Sequence, residues 1–385
     1  MWIYLICFAI SCLFLKVAEL SNKRVVYRII TAIGLIIPCI LAGFRADTIG
    51  TDVQVYVKPM FEAARSSNSF SEYQNMRWIA SWTYIYVHEI EIGFSLLVYI
   101  IAKIFGNLAI LLTSIQLLII IPFYKGLSYF RKQLPMWLCM LVFYLMHYNV
   151  TLNMMRQWIA MALLFYGFKY IVERKVCKFI FIVVVAMTFH TSAMFGIIFY
   201  LIYSFIYSGK NEKKLKIILS SRKYISLEKL NKIFIIIIVF CLALLSLNII
   251  SVFLSNIGLS KYAAYIKGDV YLLPIQIILR IPFIIMILLN WRKYNEKYTM
   301  APIFLAMMII ELLVSQLGSI SQYSWRIATY FSMFNCLSYC SICELSKKIY
   351  VRISYRILLI IYLIVYWVYY FVIQGIHETI PYMIA

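Results

Sequence analysis

The chain has 385 residues, of which 64% are hydrophobic and only 13% are charged, and its mean hydropathy is +0.88. A soluble domain has about 45–50% apolar and about 25% charged residues, so the charges here are too few to cover a surface in water. The composition excludes a soluble enzyme, a secreted disulfide scaffold and a nucleic-acid-binding domain as descriptions of the whole chain. It predicts a protein that crosses a membrane several times.

The net charge of +21 comes from 36 Lys and Arg against 15 Asp and Glu. The basic residues fall in short blocks between apolar runs, which is typical of cytoplasmic loops rather than of a nucleic-acid-binding surface. We therefore expect no nucleic-acid partner. The blocks are residues 21–28, 130–133, 173–178, 209–232, 291–297 and 346–356.

Apolar runs long enough to cross or enter a bilayer recur along the chain, and each is expected to be helical. The first run has no basic n-region and no small-residue cleavage site, so it is expected to be retained. The runs predict an all-α, polytopic membrane bundle of about 12–13 transmembrane or re-entrant helices in one domain, residues 1–385. They lie at residues 2–20, 29–44, 92–106, 107–124, 135–150, 156–172, 179–189, 192–208, 233–254, 275–291, 300–317, 328–345 and 356–374.

The basic blocks orient these helices. If the blocks are cytoplasmic, the loops at about 45–91 and about 255–274 lie outside, provided that one early segment does not cross. The short run 92–106 is the candidate for this re-entrant or interfacial helix, and the aromatic-rich stretch 77–89 is a second interfacial candidate. The alternative topology places the loop 45–91 in the cytoplasm.

Aspartate is scarce in this sequence: the three aspartates are Asp47, Asp52 and Asp269, all in predicted external loops. Two of them share the stretch FRADTIGTDVQVY, residues 44–56, with Arg45 and Gly50. One interpretation is a solvated turn that ends a helix. The other is a site in which Arg45 binds an anion or orients an aspartate, and Asp52 or Asp47 acts as a base or binds sugar hydroxyls.

Charged residues also interrupt later apolar runs near the same predicted face. A charge at membrane depth costs about 2.5–3.5 kcal/mol on insertion scales, so such residues usually face a polar cavity. Several converging guanidinium groups would bind a pyrophosphate. The candidates are Arg156, Arg280, Arg326 and His190.

Two of these candidates have alternatives. Arg280 can instead snorkel to the outer headgroups, and His190 can cap a break in a helix. Glu311, inside an apolar run, is expected to form a structural hydrogen bond. The remaining histidines have no partner that the sequence identifies and are expected at the surface or interface: His88, His147 and His377.

The predicted loop LSKYAAYIKGDVYLLP, residues 259–274, combines aromatic and charged residues that suit sugar binding. The same residues are equally typical of an interfacial aromatic belt. They are Lys261, Tyr262, Tyr265, Lys267, Asp269 and Tyr271.

Taken in order, these motifs resemble those of the bacterial O-antigen and exopolysaccharide polymerases of the Wzy/EpsG type. Members typically have Arg-Asp, then Gly-Thr-Asp and a Tyr after an early span. Here Ala46 separates Arg45 from Asp47, where the family often has Arg and Asp adjacent. The further matching residues are Gly50, Thr51, Asp52, Tyr56, Glu91, Gly93, Phe94, Arg156, Gln157, His190, Ser192, Arg326 and the Pro-Tyr of the tail HETIPYM.

The resemblance implies a glycosyltransferase that joins oligosaccharide repeat units carried on undecaprenyl pyrophosphate, at the outer face of the bacterial inner membrane. Asp52, followed by Asp47 or His190, would accept the proton of the acceptor hydroxyl. No metal or other cofactor is expected. Expected partners are the lipid-linked oligosaccharides, membrane lipid, and a chain-length regulator and flippase of the same pathway. The residues that would bind pyrophosphate or substrate are Arg45, Arg156, Gln157, Arg280, Arg326 and Tyr56.

Two other functions remain open at this point. One is an O-antigen ligase or another polyprenyl-lipid-dependent glycosyltransferase, which would keep the site and change donor or acceptor. The other is a flippase or transporter of the same lipid-linked glycans, which should carry charges at several depths and often has inverted repeats.

Overall fold

The structure is a computed structural model that describes residues 1–80, 82–208, 228–239, 256, 272–319 and 324–385. Its helical content of 79% confirms the all-α class. The aromatic loop at 261–271 and residues 240–254 of the run 233–254 lie outside the described residues. The chain divides into two compact units, Met1–Ile197 with Ile357–Ala385, and Ile198–Arg356.

Helices follow the predicted apolar runs closely in the first half of the chain. α8 continues α7 through a π turn at Tyr144–Tyr148. The helices are α1 Trp2–Glu19, α2 Arg24–Gly43, α3 Lys58–Ser66, α4 Phe70–Asn75, α5 Ile92–Phe105, α6 Leu108–Ser128, α7 Met136–Phe143, α8 Asn149–Thr151, α9 Met155–Val172, α10 Val176–Met187 and α11 Gly196–Tyr207.

The segment 45–91 is folded along most of its length. A π turn at Val53–Val57 leads into α3 and α4, and strands β1 Arg77–Ala80 and β2 Thr83–Tyr86 pair as an antiparallel hairpin. The indole N–H of Trp78 in β1 donates to the carbonyl of Val55, 2.7 Å away. This contact ties the hairpin to the π turn that follows Asp52.

Helices also follow the apolar runs in the later part of the chain, with one difference. The predicted run 328–345 is two short helices, and the hydroxyls of Thr329 and Ser332 donate to the carbonyls of Trp325 and Thr329 in the turn before the break. The helices are Pro274–Leu289, Trp291–Lys297, Ala301–Gln316, Ser324–Ser332, Asn335–Cys343 and Ile349–Trp367, and residues 228–239 are also helical.

Four helices of the described residues are long and apolar enough to cross a membrane: α1, α2, α6 and the last helix with its π turn, Ile349–Ile373. The pair Pro274–Leu289 and Trp291–Lys297, bent by 82°, forms a fifth if it acts as one span. Five further apolar helices are shorter, among them α5 and α10. The protein is therefore a polytopic membrane protein, while the number of crossings and the side of each loop stay predictions.

Aromatic side chains form the core of the first unit. Phe8 stacks on Tyr144 with ring centroids 5.1 Å apart and meets the edge of Tyr148 at 4.9 Å. The buried indole of Trp367 donates to the side-chain oxygen of Asn149 at 2.8 Å, which fixes the last helix to this core. His147 is also buried, 5.1 Å from the ring of Trp158, so its predicted surface position is wrong.

Helices α2 and α6 pack closely where α2 ends. A Cβ added at Gly43 would lie 1.9 Å from the hydroxyl oxygen of Thr113 and 2.7 Å from the carbonyl of Ala109. Small residues allow such close approach of membrane helices. The contact lies at the last residue of α2, directly before the turn that carries Asp47 and Asp52.

The second unit holds a buried ion pair between two apolar helices. Arg280 donates Nε–H to Glu311 at 2.5 Å and Nη1–H to the side chain of Gln276 at 2.5 Å. Glu311 is only 1% exposed, which confirms its predicted structural hydrogen bond. The charge of Arg280 is compensated by this carboxylate.

We predict that Glu311→Leu alone destabilises the protein by about 3–5 kcal/mol, because it leaves the guanidinium of Arg280 without its carboxylate. Adding Arg280→Met should recover most of that loss. Thermal unfolding of the protein purified in detergent measures both variants. The control is Glu296→Gln in the exposed pair with Arg292, which should cost less than about 1 kcal/mol. An unchanged melting temperature for Glu311→Leu would contradict the prediction.

Candidate functional site

Arg45 is buried immediately after α2. It is 2% exposed, and it donates to the carbonyls of Ala42 at 2.6 Å, Ile49 at 3.2 Å and Leu152 at 3.2 Å. Burial lowers the pKa of Arg45, yet a guanidinium stays protonated in a protein. Three of its donors are thus used to hold the turn at 42–49 against the turn at 152. Its predicted contact with an anion stays a prediction, and the geometry favours a positioning role.

The next turn brings Asp52 to the same place. Gly50 has φ +85°, and a Cβ there would lie 2.7 Å from the carbonyl oxygen of Leu152. The side-chain oxygen of Asn153 accepts the hydroxyl of Thr51 and the backbone N–H of Asp52, both at 2.9 Å. The backbone of Asp52 is thereby fixed on the turn that precedes α9, and its side chain is half-buried.

The two aspartates of this stretch lie in different environments. The carboxylate of Asp47 accepts a hydrogen bond from the ammonium group of Lys58 at 2.6 Å, and both side chains are substantially exposed. This hydrogen bond raises the pKa of Lys58. Asp47 therefore resembles a surface ion-pair residue, whereas Asp52 is bound to the more enclosed turn.

Arg156, at the start of α9, brings three of the predicted motifs together. Its Nη1 donates to the Oε2 carboxylate atom of Glu91 at 2.6 Å, and its guanidinium lies 5.1 Å from the ring centroid of Tyr56. The other oxygen of Glu91 accepts the backbone N–H of Thr191 at 3.1 Å. Arg156 is 20% exposed and Glu91 13%, so the pair is enclosed but reachable from solvent.

His190 lies beside this pair, at the start of the 3₁₀ turn Thr191–Phe195. Its Nδ1 accepts the backbone N–H of Ser192 at 3.2 Å and lies 2.6 Å from the Ser192 hydroxyl. A backbone N–H only donates, so Nδ1 carries no proton and Nε2 carries it. The capping role considered for His190 is confirmed, and its catalytic role stays a prediction.

The other predicted residues lie apart from this network. Gln157 follows Arg156 in α9 and is 4% exposed, so it faces the interior of the first unit. Arg280, paired with Glu311, and Arg326, an exposed residue 6.0 Å from the ring of Trp325, belong to the second unit. Their convergence with Arg156 stays a prediction.

Three members of the site were not chosen from the sequence: Glu91, Asn153 and His377. Glu91 was part of a recognised motif but had no assigned partner. Asn153 lies three residues before Arg156 at the start of an apolar run, which was the available signal. His377 was expected at the surface or interface with no identified partner; it is half-buried, and the structure supplies the partner, since its Nδ1 lies 3.1 Å from Asn153 Nδ2.

These contacts define the candidate site in the first unit, around the turns before α5 and α9 and after α2 and α10. It offers a carboxylate, a guanidinium, two imidazoles and an aromatic ring: Asp52, Arg156, His190, His377 and Tyr56. Among the described residues no group of three or more His, Cys, Asp or Glu side chains is arranged so that it could hold a metal ion, and metal-free chemistry stays a prediction.

The fold and site are those of a polytopic membrane protein with polar groups gathered at the ends of its helices. Its sequence matches the EpsG family over residues 27–384, nearly the whole chain, so the protein belongs to the EpsG family. This confirms the resemblance drawn from the motifs. No curated protein and no solved structure matches the sequence.

We predict that Gly50→Ala destabilises the protein more than Gly106→Ala, measured as melting temperature in detergent. Both glycines have positive φ, +85° and +58°, so alanine costs about 1–2 kcal/mol at either. Only at Gly50 does the new Cβ also collide with a backbone atom, the Leu152 oxygen; at Gly106 the nearest atom is 3.9 Å away. Equal melting temperatures would show that the turn at 50 adapts freely.

Proposed function

We propose that this protein is a membrane glycosyltransferase that polymerises oligosaccharide repeat units carried on undecaprenyl pyrophosphate. The observation that carries the proposal is the joining of four family-like motifs in one network, through Tyr56, Glu91, Arg156 and the turn at His190. Membership of the EpsG family supports a role in polysaccharide biosynthesis. We place the reaction at the outer face of the bacterial plasma membrane.

The proposed reaction forms one bond and breaks one. A hydroxyl oxygen of the incoming repeat unit attacks the anomeric carbon of the growing chain, and the bond from that carbon to the pyrophosphate oxygen breaks. Undecaprenyl pyrophosphate leaves with the electron pair, and a base takes the hydroxyl proton. The site must therefore supply a base and a stabilising cation.

Asp52 is the proposed base. Its backbone is held by Asn153, and the neighbouring turn is fixed by Gly50 and by the buried Arg45, so the backbone from which the carboxylate extends is held in place without substrate. Such preorganisation is what proximity catalysis requires. Asp47, already paired with Lys58, is the less suitable carboxylate.

Arg156 is the proposed cation for the departing pyrophosphate. Glu91 and Tyr56 hold its guanidinium in one place while leaving part of it exposed. A guanidinium binds phosphate oxygens through paired N–H donors. A donor lipid that contacts Arg156 would share its guanidinium with Glu91. The other oxygen of Glu91 accepts the backbone N–H of Thr191, the residue that follows His190.

The lipid carrier suits the outside of the helices. Large apolar side chains on α1 point outward, including Trp2 at 67% exposed and Leu13 at 59%, as expected for surfaces that contact hydrocarbon. We propose that the isoprenoid tail lies in this lipid phase while its pyrophosphate reaches the site. A chain-length regulator and a flippase of the same pathway are the proposed protein partners.

The test replaces the cell's own copy with variants and resolves the surface glycan by chain length on gels. We predict that Asp52→Asn lowers polymerisation by about 10²–10⁴-fold, as expected for loss of a general base. Arg156→Ala should lower it by about 10²–10³-fold through loss of charge stabilisation, and Arg156→Lys by less. Asp47→Asn should have a milder effect than Asp52→Asn.

The matched control is Glu173→Gln, which neutralises a carboxylate paired with Lys175 in an exposed loop and should leave the ladder intact. Membrane levels of each variant are checked in parallel. A single repeat unit left on the carrier supports polymerisation. An intact ladder in both Asp52→Asn and Arg156→Ala rejects the site, and loss of even the single-unit band indicates a ligase or flippase instead.

A further inference from the structure

His377 occupies an unusual backbone conformation next to the candidate site. Its φ is +72°, and the following residue, Glu378, also has positive φ, +50°. Such conformations cost non-glycine residues about 1–2 kcal/mol each and persist where the surroundings require them. The imidazole Nδ1 lies 3.1 Å from the amide nitrogen of Asn153, 224 positions away in sequence.

The hydrogen bonds determine which way each group points. The backbone N–H of Asp52 only donates, so the oxygen of the Asn153 side chain must face it, and the amide nitrogen then faces His377. That nitrogen also only donates. His377 therefore accepts at Nδ1, and its imidazole is neutral with the proton on Nε2.

The C-terminal segment is held by other contacts on the far side of His377. Thr379, 1% exposed, accepts the Tyr4 hydroxyl at its carbonyl and the Asn149 amide at its hydroxyl, both at 2.9 Å. Further along, Ile384 pairs antiparallel with Arg45, and the backbone N–H of Ala46 donates to Met383 at 2.8 Å. The bond between His377 and Asn153 is therefore not needed to hold this segment in place.

We propose that His377 is a positioning residue of the polymerisation site, acting through Asn153 on Asp52. Its Nδ1 fixes the amide of Asn153 in the one orientation that accepts both the Thr51 hydroxyl and the Asp52 backbone N–H. The C-terminal segment thus completes the site rather than only ending the chain. This inference rests on the proposed function, since it assigns His377 to the alignment of the proposed base.

Two substitutions at the same position separate this role from a structural one. His377→Gly and His377→Asn both tolerate positive φ, so neither adds backbone strain. Asparagine keeps an acceptor near the position of Nδ1, whereas glycine removes it. If His377 aligns Asp52, glycine should lower the turnover rate by about 10–100-fold, as a small misplacement of a reacting group does, and asparagine by less than about 3-fold.

The assay combines membranes that contain the full-length protein with the lipid-linked repeat unit, which is extracted from cells that lack the protein. It follows the extension of the glycan over time. Loss of alignment lowers kcat and leaves KM for the repeat unit within about 3-fold, because misalignment acts on the chemical step. The double variant Asn153→Ala with His377→Gly should be no slower than Asn153→Ala alone, since the two residues act as one unit. Met383→Leu changes a half-exposed side chain of the same segment and keeps its backbone bond to Ala46, so it should behave as the unaltered protein.

Several outcomes would overturn the inference. If His377→Gly leaves kcat unchanged, the imidazole has no role. If the loss of kcat in the double variant is the product of the losses in the two single variants, His377 does not act through Asn153. If asparagine is as slow as glycine, the residue acts through Nε2 and not as proposed. Asp52→Asn is measured alongside to keep the two proposals apart. If Asp52→Asn keeps full activity, the proposed site is rejected. If Asp52→Asn loses activity while His377→Gly keeps it, only the inference on His377 is rejected.

Discussion

The buried guanidinium of Arg45 is the interaction on which the site depends. A charge removed from water must have its donors satisfied, and here they bind the carbonyls of Ala42, Ile49 and Leu152. These bonds join the end of α2 to the turn before α9. The contacts of Gly50 with Leu152 and of Asp52 with Asn153 lie in the same junction between these two turns.

The same principle organises the other polar groups in a chain with few charges. Glu91 links Arg156 to the turn at Thr191, and Glu311 compensates Arg280 inside an apolar helix pair. In surroundings this apolar, a polar side chain that lacks a partner is expensive, and Arg156 and Arg280 are each matched by a glutamate. The pair of Glu91 and Arg156 lies where helix ends and turns come together, which is the place of the proposed site, whereas the pair of Arg280 and Glu311 joins two helices along their length.

Much of the architecture was predictable from local pattern. Apolar runs predicted α1, α6 and α9 to within a few residues, because burial and lipid contact both require apolar side chains over a whole helix. The motifs placed Asp52, Tyr56 and Arg156 near one another, and Tyr56 does lie against Arg156. The fold of residues 45–91, the break after Ser332 and the burial of His147 were missed, because each depends on hydrogen bonds or packing that periodicity does not report.

By itself, then, the sequence determined the membrane class, the helical runs, the family and a short list of candidate site residues, because composition, hydropathy and motif order are local properties. Only the tertiary structure decided that Asp47 pairs with Lys58, that Arg45 is used inside the turn, and that Glu91, Asn153 and His377 join the site. Those outcomes rest on hydrogen bonds between atoms up to 224 positions apart. Such bonds form only once packing has brought the chain ends and turns together, and no local pattern encodes them.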